Sequence, residues 1–198
     1  MLIKTHKTLA EDFIYNMDSK KKDMINEKHF IWGNIKPDCA SKYKFKKHYM
    51  DESLDMVVEK IQFLASLSLE DIYTNNLGNK FSQELGVVCH FLCDFFCIPH
   101  NKRWEFKSAN AMKEHVIYEK ELAKVAKEFK IRKDIETNVS SQEIRSYILD
   151  LQEEYEKVMD YDNDLDFAYY VCQSVINMIL EEVMINENLK NIKLIIKK

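Results

Sequence analysis

Two stretches of this chain place a histidine four residues before an acid: His90-Phe-Leu-Cys-Asp94 and His115-Val-Ile-Tyr-Glu119. On a helix, that spacing projects both side chains from one face about a turn apart, close enough to share a metal ion. Between the pairs stands Pro99-His100. Along a straight helix His100 would point away from Asp94, and the proline break frees its ring to turn back. Upstream lie Asp38, directly after Pro37, then His48 at the start of a helix, and His6 on the first helix. Imidazole and carboxylate are ligands that zinc accepts in tetrahedral or five-coordinate sites. Two or three such ions together polarise a phosphoryl group and ionise a bound water near neutral pH.

Each piece alone is weak. A His-x3-Asp pair is common as a surface ion pair, and a lone histidine on an apolar helix usually sits in the core with a hydrogen-bonded ring, the expectation for His29. Asp94 differs, because Phe91, Leu92, Phe95 and Phe96 surround it in the most apolar stretch of the chain. Burying a carboxylate there costs several kcal/mol unless a cation compensates it.

The elements that must position these groups are helices. With only three Gly and two Pro in 198 residues, the chain suits long helices better than a fold of many tight turns. Apolar spacing predicts helices over about Thr5–Asn16, Asp51–Leu67, Lys80–Ile98 (ended by Pro99), Ser108–Phe129, a stretch opened by a capping-type Ser140-Ser141-Gln142-Glu143, and about 165–186. Asp164 or Asp166 is placed to cap the last. The lysine-rich segment 20–47, holding Gly33 and Pro37, reads as a ligand-bearing loop, and Asn75-Asn76-Leu77-Gly78 as a break. The basic tail 188–198 alternates Lys with Leu and Ile; it reads as a frayed end, with contact to a membrane or partner as the alternative.

With no internal repeat or low-complexity linker, residues 1–198 read as a single all-α domain. A 46% hydrophobic content with 23 aromatic residues argues against disorder. The net charge of -4 gives no general pull on nucleic acid, so an anionic substrate requires a local positive centre. Of the five cysteines, Cys89, Cys93 and Cys97 recur every four residues, which suits buried free thiols on one helix better than disulfides or zinc ligands. No secretory signal or membrane-spanning stretch is visible, and the expected location is cytoplasmic, or secreted where a leader precedes residue 1.

The spacing resembles the bacterial zinc-dependent phospholipase C family, related to zinc-dependent single-strand nucleases. That family carries His-x3-Asp-x5-His and then His-x3-Glu; here these read His90-FLC-Asp94-FFCIP-His100 and His115-VIY-Glu119, with THKTLA around His6, GNIKPD ending at Asp38 and KKH ending at His48. The resemblance implies an all-helical bundle with two to three zinc ions. It implies that Asp38, His48, His90 and Asp94 surround one ion and that His100, His115 and Glu119 hold a second. A third would lie between Asp94, His6 and the chain's own N-terminus. The counterpart of Asp38 also orients or deprotonates the attacking water. Where the family has an N-terminal Trp, this chain has Met1-Leu2, leaving Met1 or another side chain to complete the third site; Cys39 after Asp38 departs from the family's choline pocket.

The leading expectation is a hydrolase: a zinc-dependent phosphodiesterase acting on a phospholipid or small phosphodiester, with peripheral membrane contact possible in principle. The alternatives are a nuclease or small-molecule phosphoesterase on the same metal core, or a non-catalytic helical protein that holds zinc structurally.

Overall fold

A computed structural model describes residues 1–40, 47–74, 77–104, 107, 110–129 and 139–196. Among these there are ten helices and no strand. They are α1 (Ile3–Asn16), α2 (Ser19–Lys22), α3 (Glu27–Cys39), α4 (Met50–Ala65), α5 (Leu69–Thr74), α6 (Gly78–Phe95), α7 (Ile98–Asn101), α8 (Ala111–Val125), α9 (Ile144–Tyr155) and α10 (Tyr161–Ile196). The all-helical fold class is as expected.

Helix α6 is the axis. From Leu85 to Phe95 every residue is buried, because α1, α3, α4, α5 and α10 pack around it. A helix apolar on all sides must be enclosed in this way. The enclosure carries His90 and Asp94 into the interior with it, both at 0% exposure.

The segment 20–47 is not the expected loop: it holds most of α2 and the whole of α3. The buried face of α3 is Phe30, Gly33, Asn34 and Pro37, a helical stripe built from residues that usually interrupt helices. Gly33 is there because α3 crosses α6 backbone to backbone. A Cβ on Gly33 would meet the Gln83 carbonyl oxygen at 2.1 Å, and one on Gly86 would meet the Phe30 carbonyl oxygen at 2.2 Å. Pro37 sits in the last turn, where it removes only its own amide's helical bond. This crossing places Asn34 and Asp38 beside His90. Residues 41–46 of the same segment lie outside the described residues.

Pro99 does not end α6. That helix stops at Phe95, Cys97 is extended (φ -133, ψ 122), and Pro99 occupies the first turn of α7. Pro is favoured there because its missing amide would be unpaired anyway. The direction change is the one expected for His100, made four residues earlier. After α7 the chain reverses through Arg103 in a left-handed conformation (φ 47), whose guanidinium is held by Asp51 and Glu52 and lies 4.7 Å from the Tyr49 ring centre.

Other boundaries moved for local reasons. Helix α8 begins at Ala111; Ser108, the expected start, is outside the described residues, as are Asn75 and Asn76 of the expected break. Before α9, the Ser140 hydroxyl donates to the Glu143 carboxylate at 2.6 Å instead of forming a reciprocal capping box, and the helix starts at Ile144. The last helix starts at Tyr161, capped by Asp160 accepting from the Asn163 amide at 2.8 Å, not by Asp164 or Asp166. Its far end runs on as helix to Ile196 in place of a frayed tail, with Lys190 paired to Asp71 at 2.9 Å. His29 is half-buried with no hydrogen bond at Nδ1, so it is not the satisfied core histidine expected. Cys89, Cys93 and Cys97 are buried free thiols as expected, and Cys93 Sγ lies 3.6 Å from Cys172 Sγ. No described helix is long and apolar enough to cross a membrane.

The glycine crossing makes a stability prediction. Gly86→Ala forces α3 and α6 apart and is expected to destabilise the fold by about 3 kcal/mol or more. Gly78→Ala, whose added Cβ meets only Ile72 at 3.8 Å, is expected to be neutral or mildly stabilising. Urea denaturation of both variants checks this; equal midpoints would contradict the crossing.

Candidate metal centre

The eight side chains singled out by spacing converge at one place, and all of them belong to groups whose ligand atoms lie within 4.8 Å of one another: His6–Asp38–His90, His48–His90–Asp94 and His100–His115–Glu119. Asp94 is the hub. Its Oδ2 lies 2.7 Å from His48 Nδ1 and 3.3 Å from His90 Nε2. Its Oδ1 lies 3.3 Å from His6 Nε2 and 3.6 Å from His100 Nε2. Helix α6 supplies His90 and Asp94, α1 supplies His6, the end of α3 supplies Asp38, and the residues leading into α4 supply His48.

The ring of His90 is oriented by α3. Its Nδ1 lies 2.8 Å from the Asn34 carbonyl, which only accepts, so Nδ1 carries the proton and Nε2 turns a lone pair toward Asp94 and Asp38. Asp38 Oδ1 is 3.7 Å from His90 Nε2 and 3.9 Å from His48 Nδ1. His6 stacks on His90 with ring centres 4.0 Å apart. Neither nitrogen of the buried His6 makes a hydrogen bond. A buried imidazole that faces a carboxylate at 3.3 Å without a well-formed hydrogen bond suits a ligand site better than a packed core.

The second group forms where α7 meets α8. Glu119 Oε1 lies 3.1 Å from His100 Nε2 and 2.9 Å from His115 Nε2. The α-amine of Met1 stands between the two groups, hydrogen-bonded to Asp94 and 3.0 Å from both Glu119 Oε1 and His100 Nε2. A cation is thus seated between two buried carboxylates, the place where a metal ion would neutralise them. Met1 has no side-chain signature, so only the resemblance pointed to it.

Electrostatics follow from this packing. Burial works against the Asp94 charge, but His100, the Met1 amine, His6 and His90 hold the carboxyl well below its usual range. Burial likewise opposes the charge on Glu119 and is outweighed by the Met1 amine, His100 and His115, so its pKa is also lowered. For His6, burial disfavours the imidazolium, yet the adjacent Asp94 wins and raises it to about 9. His90 moves the other way, lowered by burial and by repulsion from His6. Asp38 is raised, first by burial and then by the Asp94 charge. The inner groups are sealed, whereas the side chains of Asp38 (25% exposed), His48 (17%) and His115 (14%) reach solvent.

These shifts give a pH prediction for protein stripped with a chelator. His6 is expected to keep its proton through neutral pH and lose it near 9. In Asp94→Asn the attraction of the carboxylate is gone while burial and the Met1 amine still oppose the charge, so the His6 titration should fall well below 9. Histidine ring NMR across pH checks this; a His6 titration unmoved by the substitution would contradict the coupling.

No curated protein and no solved structure matches the chain. A family match does exist: residues 5–162 match the family described as zinc dependent phospholipase C, a span that includes every side chain of the cluster. With most of its length matched and its histidines and acids gathered as described, the chain belongs to the zinc-dependent phospholipase C family.

Proposed function

We propose that this chain is a zinc-dependent phosphodiesterase that resembles phospholipase C and splits a phospholipid or a similar phosphodiester with metal-activated water. The observation that carries the reading is a fully buried carboxylate, Asp94, within 3.6 Å of His6, His48, His90 and His100, in a cluster of imidazoles and carboxylates that is partly exposed at Asp38, His48 and His115. Asp38, His48, His90 and Asp94 would hold one ion, and His100, His115 and Glu119 a second. Asp94, His6 and the Met1 amine, once deprotonated, suit a third. The donor set fits: nitrogen and oxygen ligands with three carboxylates to balance the charge of divalent ions. Bound zinc supplies Lewis acidity toward phosphoryl oxygens and a water that ionises near neutral pH.

The chain's own residues divide the remaining work. Asp38 is the partly exposed carboxylate of the cluster, placed to orient an attacking water or take its proton. Asn34 holds His90 in one tautomer, and His90 and Asp94, sealed in the core, fix the position of everything bound to them. Partial exposure of Asp38, His48, His100 and His115 favours catalysis over a purely structural site, in which coordination is closed. For a lipid substrate, the end of α10 offers a surface for peripheral contact, with Leu189, Ile192, Leu194 and Ile195 exposed on a segment that also carries the exposed Lys193.

The test compares phosphatidylcholine vesicles, a soluble choline phosphodiester and single-stranded DNA, each with and without chelator. Hydrolysis of the choline substrates, lost with chelator and reduced about 100-fold or more in Asp38→Asn, is expected. Cleavage of DNA alone would overturn the lipid reading, and a fully active Asp38→Asn protein would remove the role given to Asp38.

A further inference from the structure

Asp164 lies two residues beyond the stretch that matches the family and is outside the metal cluster, yet it is fully buried. It does not cap its own helix, since Asp160 does. No cation among the described residues pairs with it; its partners are neutral donors from three other helices. The Ile98 amide at the start of α7 donates to Oδ2 at 3.2 Å, the Tyr118 hydroxyl on α8 donates to Oδ2 at 3.1 Å, and the Tyr155 hydroxyl on α9 donates to Oδ1 at 2.6 Å.

A carboxylate buried without a cation is a poor way to gain stability, because apolar side chains of similar volume usually serve better. What it provides is direction, fixing several donors relative to one rigid point. Two of those donors belong to the elements that carry the second ligand group. Ile98 is two residues from His100 on the short helix α7, and Tyr118 precedes Glu119 on α8, with His115 one turn behind. His100, His115 and Glu119 come from two elements that touch through this corner, while His90 and Asp94 need no such help because α6 is packed on all sides. Tyr118 is further held by ring contacts with Trp104 and Tyr161, at 5.3 and 4.5 Å between centres.

We infer that Asp164 is a positioning residue for the His100–His115–Glu119 group, holding α7 and α8 at the mutual distance that lets their ligands meet on one ion. This rests on the zinc reading proposed above. Asp164→Asn keeps the shape but replaces one acceptor oxygen with a donor amide, and Tyr118→Phe removes one bond while keeping the ring.

The experiment is a competition titration of the purified full chain with zinc and a coloured chelator, together with elemental analysis. His115→Ala marks which ion belongs to the second group. In Asp164→Asn and Tyr118→Phe, that ion is expected to bind roughly 10- to 100-fold more weakly, the size usual for groups that orient ligands, while the other zinc is held as in the unmodified chain. Ile148→Ala, a core truncation on α9, is expected to lower the melting temperature without moving either affinity. Unchanged affinity in the variants would overturn the inference, as would equal weakening by Ile148→Ala, which would reveal general loosening. If Asp164→Asn does not fold, Tyr118→Phe decides alone. An unmodified chain that binds no zinc would overturn the metal reading itself, an outcome distinct from a chain that binds zinc but is indifferent to Asp164.

Discussion

The fold turns on the compensation of one carboxylate. Asp94 is fully buried on the most enclosed helix, and an ionised carboxylate in such surroundings is unfavourable by several kcal/mol unless positive charge comes to it. The cations that meet it are the Met1 amine and His6 on α1, and neutral or cationic imidazoles reach it from two further places, His48 ahead of α4 and His100 on α7. Each of these segments must therefore end at the same point, and the helices that carry them are arranged accordingly. The close approach of α3 to α6 through Gly33 and Gly86 belongs to the same constraint, because it sets Asn34 against His90 and brings Asp38 to the rim.

A division of labour follows along α6. Its middle and end face the core through Phe91, Phe95 and the thiols of Cys89 and Cys93, while His90 and Asp94 face the cluster. Rigidity and chemistry share one helix, so the ligands inherit the precision of the core. Exposure then rises outward, from His6 and His90 at the bottom to Asp38 and His48 at the rim. That gradient suits a centre in which the inner groups hold charge and the outer groups meet water and substrate.

How much of this was legible depended on whether residue type and periodicity agreed. The site was readable because its ligands come as His-x3-Asp and His-x3-Glu on helices whose apolar spacing is clear, and because an acid among phenylalanines is unfavourable without a partner. Helix α3 was not readable: its buried face is Phe30, Gly33, Asn34 and Pro37, so the stripe that packs on α6 contains a single large apolar residue. Only the tertiary contact with Gly86 gives those residues their meaning. The break after Phe95 was assigned to Pro99, although the turn is made by Phe96 and the extended Cys97, with Pro99 starting the next helix. Asp164 stands near a helix start, where it or Asp166 is expected to cap. Its partners on α7, α8 and α9 are distant in sequence and leave no local signal.

Whether Asp94 is the hub of a metal centre or only of an ion-pair network can be decided by counting zinc. The chain would be purified with neither metal nor chelator added and analysed for its elements beside Asp94→Ala. About two to three zinc ions per chain, falling sharply in the variant, is the expected result. No bound metal in the unmodified chain, even after zinc is supplied, would contradict it and leave Asp94 the hub of an ion-pair network with the Met1 amine and the histidines around it.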